Sequence, residues 1–348
     1  MSEPEPQRKR RVRYKGTHPR RFEEKYKELA ADKYTDDVDK IIRSGKTPAG
    51  THRPICVSEI LEVLAPQPGQ TGLDATLGYG GHARELLARI MPGGQLFGID
   101  VDRAELARAT ARLRALGYDE TQLVTRQINF AGIPKLLDQA GGGFDFIVAD
   151  LGVSSMQLDD PARGFSWKRE APLDLRMNPS RGAPAAALVA KLPEPKLAAL
   201  LRENADEPKA GTIAAAIVAA RAEAPLATTT ALARAVLGAV SGPPAREKGS
   251  EKETLARVFQ ALRIAVNDEF TALDTFLAAL PSCLRPGGRV AILTFHSGED
   301  RRVKKAFQDG VRKGLYAAAA PEVIRAGAEE RRSNPRSTAA KLRWAVRS

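Results

Sequence analysis

Apolar runs and helical segments alternate along much of this chain. Beyond residue 51, four short apolar runs predict strands (TGLDATLG, GQLFGIDVD, LVTRQINF and GFDFIVADLGV), and the segments between the first three carry leucine at helical spacing. Strands that alternate with helices are typical of βαβ units and of a parallel sheet covered on both faces. The pattern therefore predicts an α/β fold with a doubly wound, Rossmann-like sheet.

The alternation stops after the fourth predicted strand. Residues 156–254 contain Ala- and Leu-rich helical segments without a convincing strand, and they end in the polar stretch GPPAREKGSEKE. A long helix over about 255–280, the strand RVAILTFHS and a final edge strand KLRWAVRS are predicted to follow. We predict one α/β domain from residues 51–155 and 255–348, interrupted by an all-helical insert. Residues 1–50 form a basic arm, with the helical stretch RFEEKYKELAADKY, and a linker.

Positive charge is concentrated at the N-terminus. The formal net charge is +12, and residues 1–21 contain eight Arg and Lys against two Glu, half of that surplus. Clustered basic residues in an arm suit the phosphate backbone of a nucleic acid. The alternative is a solvated tail that only improves solubility.

Composition excludes several protein classes. No apolar stretch approaches the roughly 18 residues of a membrane span, and no secretory signal is visible. The two cysteines, Cys56 and Cys283, lie far apart and in no metal-type spacing, which indicates a reducing compartment. We expect a cytoplasmic protein without a metal site.

The first predicted strand ends in a glycine-rich loop that opens into a helix. Gly78, Gly80 and Gly81 in DATLGYGGH allow a tight turn and close approach of a ligand at the helix N-terminus. Asp100 follows about 20 residues later at the end of the second strand, where a carboxylate accepts hydrogen bonds from ribose hydroxyls. The G-x-G-G-H spacing, with His82, differs from the G-x-G-x-x-G of dinucleotide enzymes. A tight turn without a ligand is the remaining alternative.

Asp150 ends the fourth predicted strand. Ligands of doubly wound sheets bind beyond the carboxyl ends of the strands, so this side chain is predicted to point into the crevice. An aspartate that caps the turn after the strand is the alternative.

Six motifs give the chain a specific resemblance. They are DATLGYGGH, DLGVSSMQLDDPARGFSW, PLDLRM, FQALRIAVNDE, LRPGGRVAILTFHS and NPR. From about His52 to Arg343 the chain resembles the bacterial ribosomal RNA cytosine-N4 methyltransferase family known as MraW or RsmH. The resemblance implies a Rossmann-like class I S-adenosylmethionine-dependent methyltransferase sheet, split by an all-helical insert. It also implies methyl transfer to N4 of a cytosine in the decoding centre of 16S ribosomal RNA.

The resemblance also implies the site residues. The family's cofactor contacts fall on Gly80, Gly81, His82, Asp100, Phe130, Asp150 and Gln157. Phe130 closes the third predicted strand and could stack on adenine, or could pack in the core. Gln157 could hydrogen-bond the cofactor, and Asp150 could orient the acceptor amine or anchor the cofactor. Arg163 and Phe165 form part of a base-binding rim, with a phosphate contact from Arg163 equally possible.

The chain departs from the family pattern at several positions. Gly298 replaces the leucine of FHSLED, ETLARVFQALRI replaces HPATRTFQALRI, ADEP replaces a glutamate pair, and Thr338 replaces an arginine. The cofactor positions are retained, so the resemblance supports methyl transfer more than the exact target base. A catalytically idle paralogue that binds RNA or assembling subunits is the alternative function. The oligomeric state stays open.

Two other constellations suggest different chemistry. His296 with Ser297, Glu299 and Asp300 would suit a hydrolase or metal site, but the family match makes them a strand-end loop at the cleft rim. Methyl transfer to cytosine C5 would need a cysteine nucleophile near the fourth strand, and neither cysteine is there.

Overall fold

The computed structural model describes residues 54–240 and 250–348. The basic arm with its predicted helix, and most of the polar stretch after residue 240, lie outside the described residues. Within the described ranges, no helix is long and apolar enough to cross a membrane.

The described residues form one seven-stranded sheet with the order β3-β2-β1-β4-β5-β7-β6. The strands are β1 (Thr71–Asp74), β2 (Gln95–Asp100), β3 (Leu123–Gln127), β4 (Phe144–Asp150), β5 (Leu284–Thr294), β6 (Tyr316–Ala319) and β7 (Lys341–Arg347). Strands β1 to β5 pair in parallel, and β7 is antiparallel to both β5 and β6. The chain order reverses between β1 and β4, as it does in Rossmann sheets. The predicted α/β fold class is confirmed.

Helices cover both faces of the sheet. The helices of the described residues, including those that pack away from the sheet, are α1 (Val57–Leu64), α2 (Gly81–Ile90), α3 (Arg103–Ala115), α4 (Ser155–Asp159), α5 (Ala185–Lys191), α6 (Glu194–Ala205), α7 (Ala210–Glu223), α8 (Thr229–Val240), α9 (Ser250–Asn267), α10 (Glu269–Cys283), α11 (Ser297–Arg312) and α12 (Ala328–Ser333). Successive strand residues point to opposite faces. Ile147 of β4 therefore packs in the core with α10 and α11, whereas Val148 packs in the core with α1, α2 and α3.

A third apolar core lies outside the sheet. It contains side chains from α5 to α8, and α9 adds residues that include Leu255, Val258 and Leu262. Helix α9 spans the predicted domain boundary at residue 254. The division into a split α/β domain and a helical insert stays a proposal, with α9 packed against the insert's core.

The structure corrects two predicted helix and strand ends. The long helix predicted over about 255–280 is two helices, because Asp268 adopts the left-handed conformation (φ 51°) that ends α9 before α10 begins. The third strand ends at Gln127, not at Phe130. Asn129 accepts a hydrogen bond from the backbone of Ala131 and starts a 3-10 helix over Phe130–Leu136.

The final strand does not lie at the sheet edge as predicted. Strand β7 lies between β5 and β6, and the edge is β6. The sequence of β6, YAAA, has no polar alternation that could mark it as a strand. The edge was therefore assigned to the wrong segment.

Candidate active site

The carboxyl ends of β1, β2 and β4 open into one cavity at the point where the strand order reverses. Its volume is about 530 Å³, which is within the range of small-molecule sites. Predicted site residues that line it are Gly78, Gly81, His82, Asp100, Phe130, Asp150, Gln157 and Phe165. Residues of α9 and α10 line the opposite side, and Phe259 of α9 also belongs to the third apolar core, so the cavity lies between the sheet and that core.

The three glycines of the loop after β1 have different physical roles. Gly78 (φ 47°) and Gly80 (φ 84°) adopt the left-handed conformation that glycine accepts without steric cost. Gly80 caps α2 and does not line the cavity. Gly81 lines it, and a Cβ there would lie 2.4 Å from Cγ of Pro54. Only Gly78 and Gly81 are thus placed to meet a ligand.

Asp100 joins the loops that follow β1 and β2. One carboxylate oxygen accepts a hydrogen bond from the backbone N–H of Gly78 (2.8 Å), and the other accepts one from Asp102 (2.8 Å). Burial raises the pKa of Asp100 to about 6, against these backbone hydrogen bonds that favour the carboxylate. Each oxygen can accept a further hydrogen bond, so the carboxylate can both shape the loop and receive ligand hydroxyls.

His82 and Asp150 face each other across the cavity wall. His82 Nε2 lies 3.4 Å from Asp150 Oδ2, an ion-pair distance that is long for a hydrogen bond. The backbone N–H of Asp150 donates to Thr76 Oγ1 (2.6 Å). Burial opposes charge on His82, but the carboxylates of Asp150, Asp74 and Glu330 together raise its pKa above the usual value. The surrounding carboxylates therefore favour the protonated form of the imidazole beside Asp150.

Sequence reasoning missed Asp102, on which two predicted site residues converge. Its Oδ2 accepts from Gln157 Nε2 (2.9 Å) and from Arg163 Nη1 (2.7 Å). Burial would raise the pKa of Asp102, yet the amide and the guanidinium lower it below its usual value. The only sequence signal was the second acid of GIDVD.

Arg163 does not line the cavity, whereas Gln157 does. Arg163 Nη2 donates to the carbonyls of Arg176 and Met177, and Gln157 Oε1 accepts from the backbone of Ser154. Most of the polar capacity of both side chains is therefore used within the protein. Gln157 retains one N–H for a ligand, while Arg163 serves mainly to fix its loop.

Aromatic side chains lie in two places around the cavity. The ring centroids of Phe130 and Phe276 are 5.2 Å apart, so Phe130 packs on the core and still lines the cavity. Phe165 is buried beside Trp167, whose ring centroid lies 5.5 Å from that of Phe259. The cavity thus offers aromatic surface both on the side of the sheet and on the side of the third apolar core.

The cluster around His296 is paired within itself. His296 Nε2 lies 3.1 Å from Glu299, and Arg263 donates two hydrogen bonds to Glu269 (2.8 and 2.9 Å). Glu269, His296 and Glu299 are close enough to share a cation, but the Arg263 guanidinium already neutralises Glu269. Ser297 donates to Asp206, away from His296, so a serine hydrolase arrangement is not present in this described loop.

Both cysteines are buried away from the cavity. Burial raises the pKa of Cys56 to about 12 and also raises that of Cys283. A thiolate nucleophile needs a lowered pKa and access to the substrate. The predicted exclusion of cytosine-C5 chemistry therefore agrees with the thiol environments.

Comparison with known proteins gives matches over nearly the whole chain. The model of the MraW methylase family matches residues 49–348. "Ribosomal RNA small subunit methyltransferase H 2" of Alkaliphilus metalliredigens is 52% identical over 350 residues and covers 100% of both chains. "Ribosomal RNA small subunit methyltransferase H 1" of Lachnoclostridium phytofermentans is 49% identical, over 99% of this chain and 94% of its own. The protein of that name from Agathobacter rectalis is 47% identical over 100% of both chains.

Proposed function

This chain belongs to the MraW methylase family, and from that premise we propose that it methylates the N4 amine of a cytosine in 16S ribosomal RNA, in the decoding-centre region. The methyl donor is S-adenosylmethionine. Relatives that match the full chain are named small-subunit ribosomal RNA methyltransferases. The observation that carries the proposal is the single cavity that joins the glycine loop, Asp100 and Asp150 to an aromatic wall. An idle paralogue is not favoured.

The residues on the sheet side of the cavity fit a sulfonium nucleoside. The cofactor supplies a methyl group on a positively charged sulfur. Asp100 has free acceptor capacity for ribose hydroxyls, and Phe130 offers a ring face for adenine. Five carboxylates line the cavity (Asp100, Glu105, Asp150, Glu269 and Glu299), and of these Asp100 and Asp150 lie beside the glycine loop, where they favour a cationic ligand. The volume, the acceptors and the charge agree with this cofactor.

Methyl transfer to an exocyclic amine depends mainly on positioning. The lone pair of cytosine N4 is delocalised into the ring, so a carboxylate that accepts one N–H can aim the amine and stabilise the positive charge that develops on it. Asp150 is the candidate for that acceptor, and the alternative role, anchoring the cofactor, stays open. His82 lies beside Oδ2, so Oδ1 is the oxygen that remains for a ligand.

A target base must leave its stack to reach this cavity. Unstacked bases bind proteins through aromatic faces and through hydrogen bonds at their edges. We propose that Phe165 and Trp167, which line the insert side, form the wall against which the cytosine packs. The partner is ribosomal RNA or the small subunit, and the reaction takes place in the cytoplasm.

The test is direct product analysis. Purified protein is incubated with methyl-labelled S-adenosylmethionine and undermethylated small-subunit RNA, either free or assembled. The RNA is digested and the nucleosides are separated by mass spectrometry. We expect the label in N4-methylcytidine. Label in C5-methylcytidine or on ribose would refute the proposed target atom, and cofactor binding without transfer would favour the idle paralogue.

A further inference from the structure

Most of the charged side chains that line the cavity are carboxylates, and the two arginines among them differ in how they are paired. Among the described residues, the only arginines in the lining are Arg263 and Arg336, against five carboxylates. Arg263 is buried and donates two hydrogen bonds to Glu269, so its charge is already neutralised. An anionic group on a ligand would therefore find one candidate guanidinium, that of Arg336.

Arg336 has unused donor capacity. Its Nη1 is buried, and within residues 54–240 and 250–348 it has no hydrogen-bond partner. Its Nη2 lies 3.6 Å from Asp159, at ion-pair distance but beyond a hydrogen bond. A buried N–H without an acceptor is costly, and an arriving oxyanion would satisfy it. The planar guanidinium suits carboxylate and phosphate oxygens in two-point contacts.

The segment that carries Arg336 lies next to the glycine loop. Asn334, two residues earlier, also lines the cavity, and its backbone N–H donates to Glu330 (2.7 Å). The Glu330 carboxylate accepts a hydrogen bond from the backbone N–H of Cys56, and its negative charge helps to raise the pKa of His82. Arg336 is thus anchored on the side of the cavity assigned to the cofactor, and it also faces Asp159 at the end of α4.

We propose that Arg336 is the oxyanion-binding residue of this cavity. The inference rests on the proposed function, which supplies two ligands with the required chemistry. One is the carboxylate of the methionine part of S-adenosylmethionine, and the other is a phosphate of the RNA beside the target nucleotide. Both would complete the donor set of the same guanidinium.

The first arm of the experiment tests the carboxylate. Calorimetry measures the binding of S-adenosylmethionine and of S-methyl-5′-thioadenosine, which has the nucleoside but no carboxylate, to wild type, Arg336→Ala and Arg336→Lys. The control is Arg332→Ala, an exposed arginine that does not line the cavity. If Arg336 binds the carboxylate, Arg336→Ala weakens S-adenosylmethionine about tenfold to hundredfold and leaves the thioadenosine unchanged. Arg336→Lys keeps the positive charge but has no planar guanidinium, so its affinity for S-adenosylmethionine should lie between those of wild type and Arg336→Ala.

The second arm tests the phosphate. Affinity for small-subunit RNA is measured at several salt concentrations for the same four proteins. If Arg336 binds phosphate, both nucleosides bind Arg336→Ala as they bind wild type. RNA affinity falls, and the slope of log affinity against log salt decreases by about 0.7–0.9. Thermal unfolding of each variant shows that its fold is intact.

Three results overturn the inference. Unchanged binding of both S-adenosylmethionine and RNA to Arg336→Ala would remove Arg336 from the site while leaving the proposed function intact. Equal losses in Arg332→Ala would show a general effect of surface charge. Equal loss of both nucleosides in Arg336→Ala would show a distorted pocket. Wild-type protein that binds neither S-adenosylmethionine nor RNA would refute the proposed function itself.

Discussion

The guanidinium of Arg163 donates a hydrogen bond to Oδ2 of Asp102 over 2.7 Å, and this contact fastens the loop after α4 to the end of β2. Asp102 is only 2% exposed, and the same oxygen accepts from Gln157. Asp102 also caps α3 through Oδ1. Arg163 belongs to a motif that was expected to face RNA, but its contact with Asp102 holds the wall of the cavity together.

Arg163→Ala should reduce stability more than RNA binding. It leaves the buried Asp102 carboxylate without its cationic partner, which costs about 3 kcal/mol or more in the free energy of unfolding. Urea denaturation measures this, with Arg181→Ala, an exposed arginine, as the matched control. A stable Arg163→Ala protein with weakened, less salt-sensitive RNA binding would instead assign Arg163 to phosphate.

Asp150→Ala should depress methyl transfer severely, and Asp150→Asn should separate its two possible roles. The amide oxygen can still accept from an amine but carries no charge beside His82. Single-turnover rates at saturating cofactor report on amine orientation, and binding constants report on cofactor anchoring. If both variants bind and react like wild type, the active site lies elsewhere.

Asp74→Asn should remove a pH dependence of stability. Burial raises the pKa of Asp74 from 3.8 to about 6, against the opposing charge of His82. The folded state therefore favours the protonated acid, and this stability is fully present below pH 3.8 and is lost as pH rises through 6. Asparagine keeps a neutral acceptor for the Thr76 N–H, which bonds Oδ1 in the wild type.

The stability advantage of Asp74→Asn over wild type should therefore grow by about 2–3 kcal/mol between pH 4 and 7. Burial raises the pKa of Glu105 to about 7, but this group does not act on Asp74 and cancels in the difference, whereas His82 and Asp100 are coupled to Asp74 and contribute to it. Denaturation at a series of pH values gives the curve. A difference that does not vary with pH contradicts the assignment.

Gly298→Leu, which restores the family's residue, should destabilise this chain. A Cβ at Gly298 would lie 2.6 Å from Phe270 Cζ, and Arg302 stacks on the same ring with its Cζ 4.1 Å from the centroid. The Phe270 ring occupies the space that a leucine side chain at this position would need. The substitution therefore overpacks the site and lowers the free energy of unfolding by about 1–3 kcal/mol.

Adding Phe270→Ala to Gly298→Leu should recover part of that loss, which makes the two substitutions non-additive. Gly211→Leu is the matched control, because this glycine lies in an exposed part of α7 and no atom lies within 4 Å of the position that a Cβ would occupy. Thermal unfolding of the four variants measures the coupling. Strict additivity would mean that Phe270 does not occupy the space of the missing side chain.

Removal of residues 1–21 should weaken RNA binding and spare cofactor binding. The deletion takes away eight basic side chains, and log affinity should then fall less steeply with log salt, by about 0.7–0.9 for each lost phosphate contact. Base preference should not change, because phosphate contacts carry no sequence information. Identical slopes for both forms would reduce the arm to a solubilising tail.

The sequence by itself determined the fold class and the place of the glycine-rich loop at the carboxyl end of β1. Both depend on local signals: the alternation of apolar strands with helices, the glycines at 78–81, and acids at the ends of β2 and β4. Glycine-rich turns and the alternation of strands with helices are specified by neighbouring residues, so they can be predicted from one chain. The edge strand β6 and the helix break at Asp268 had no such signal in the sequence. The predictions of KLRWAVRS as the edge strand and of one long helix over about 255–280 were therefore wrong.

Only the tertiary structure decided which polar groups pair. Asp102 lies 61 residues from Arg163, and Glu330 lies 274 residues from the Cys56 N–H that it accepts from. Nothing local distinguishes an arginine that contacts RNA from one that neutralises a buried carboxylate, because the energy of each contact depends on burial and on the partner that the sheet brings near. For the same reason, the unused donor capacity of Arg336, near the end of the chain, could be recognised only from the groups that surround it in the structure.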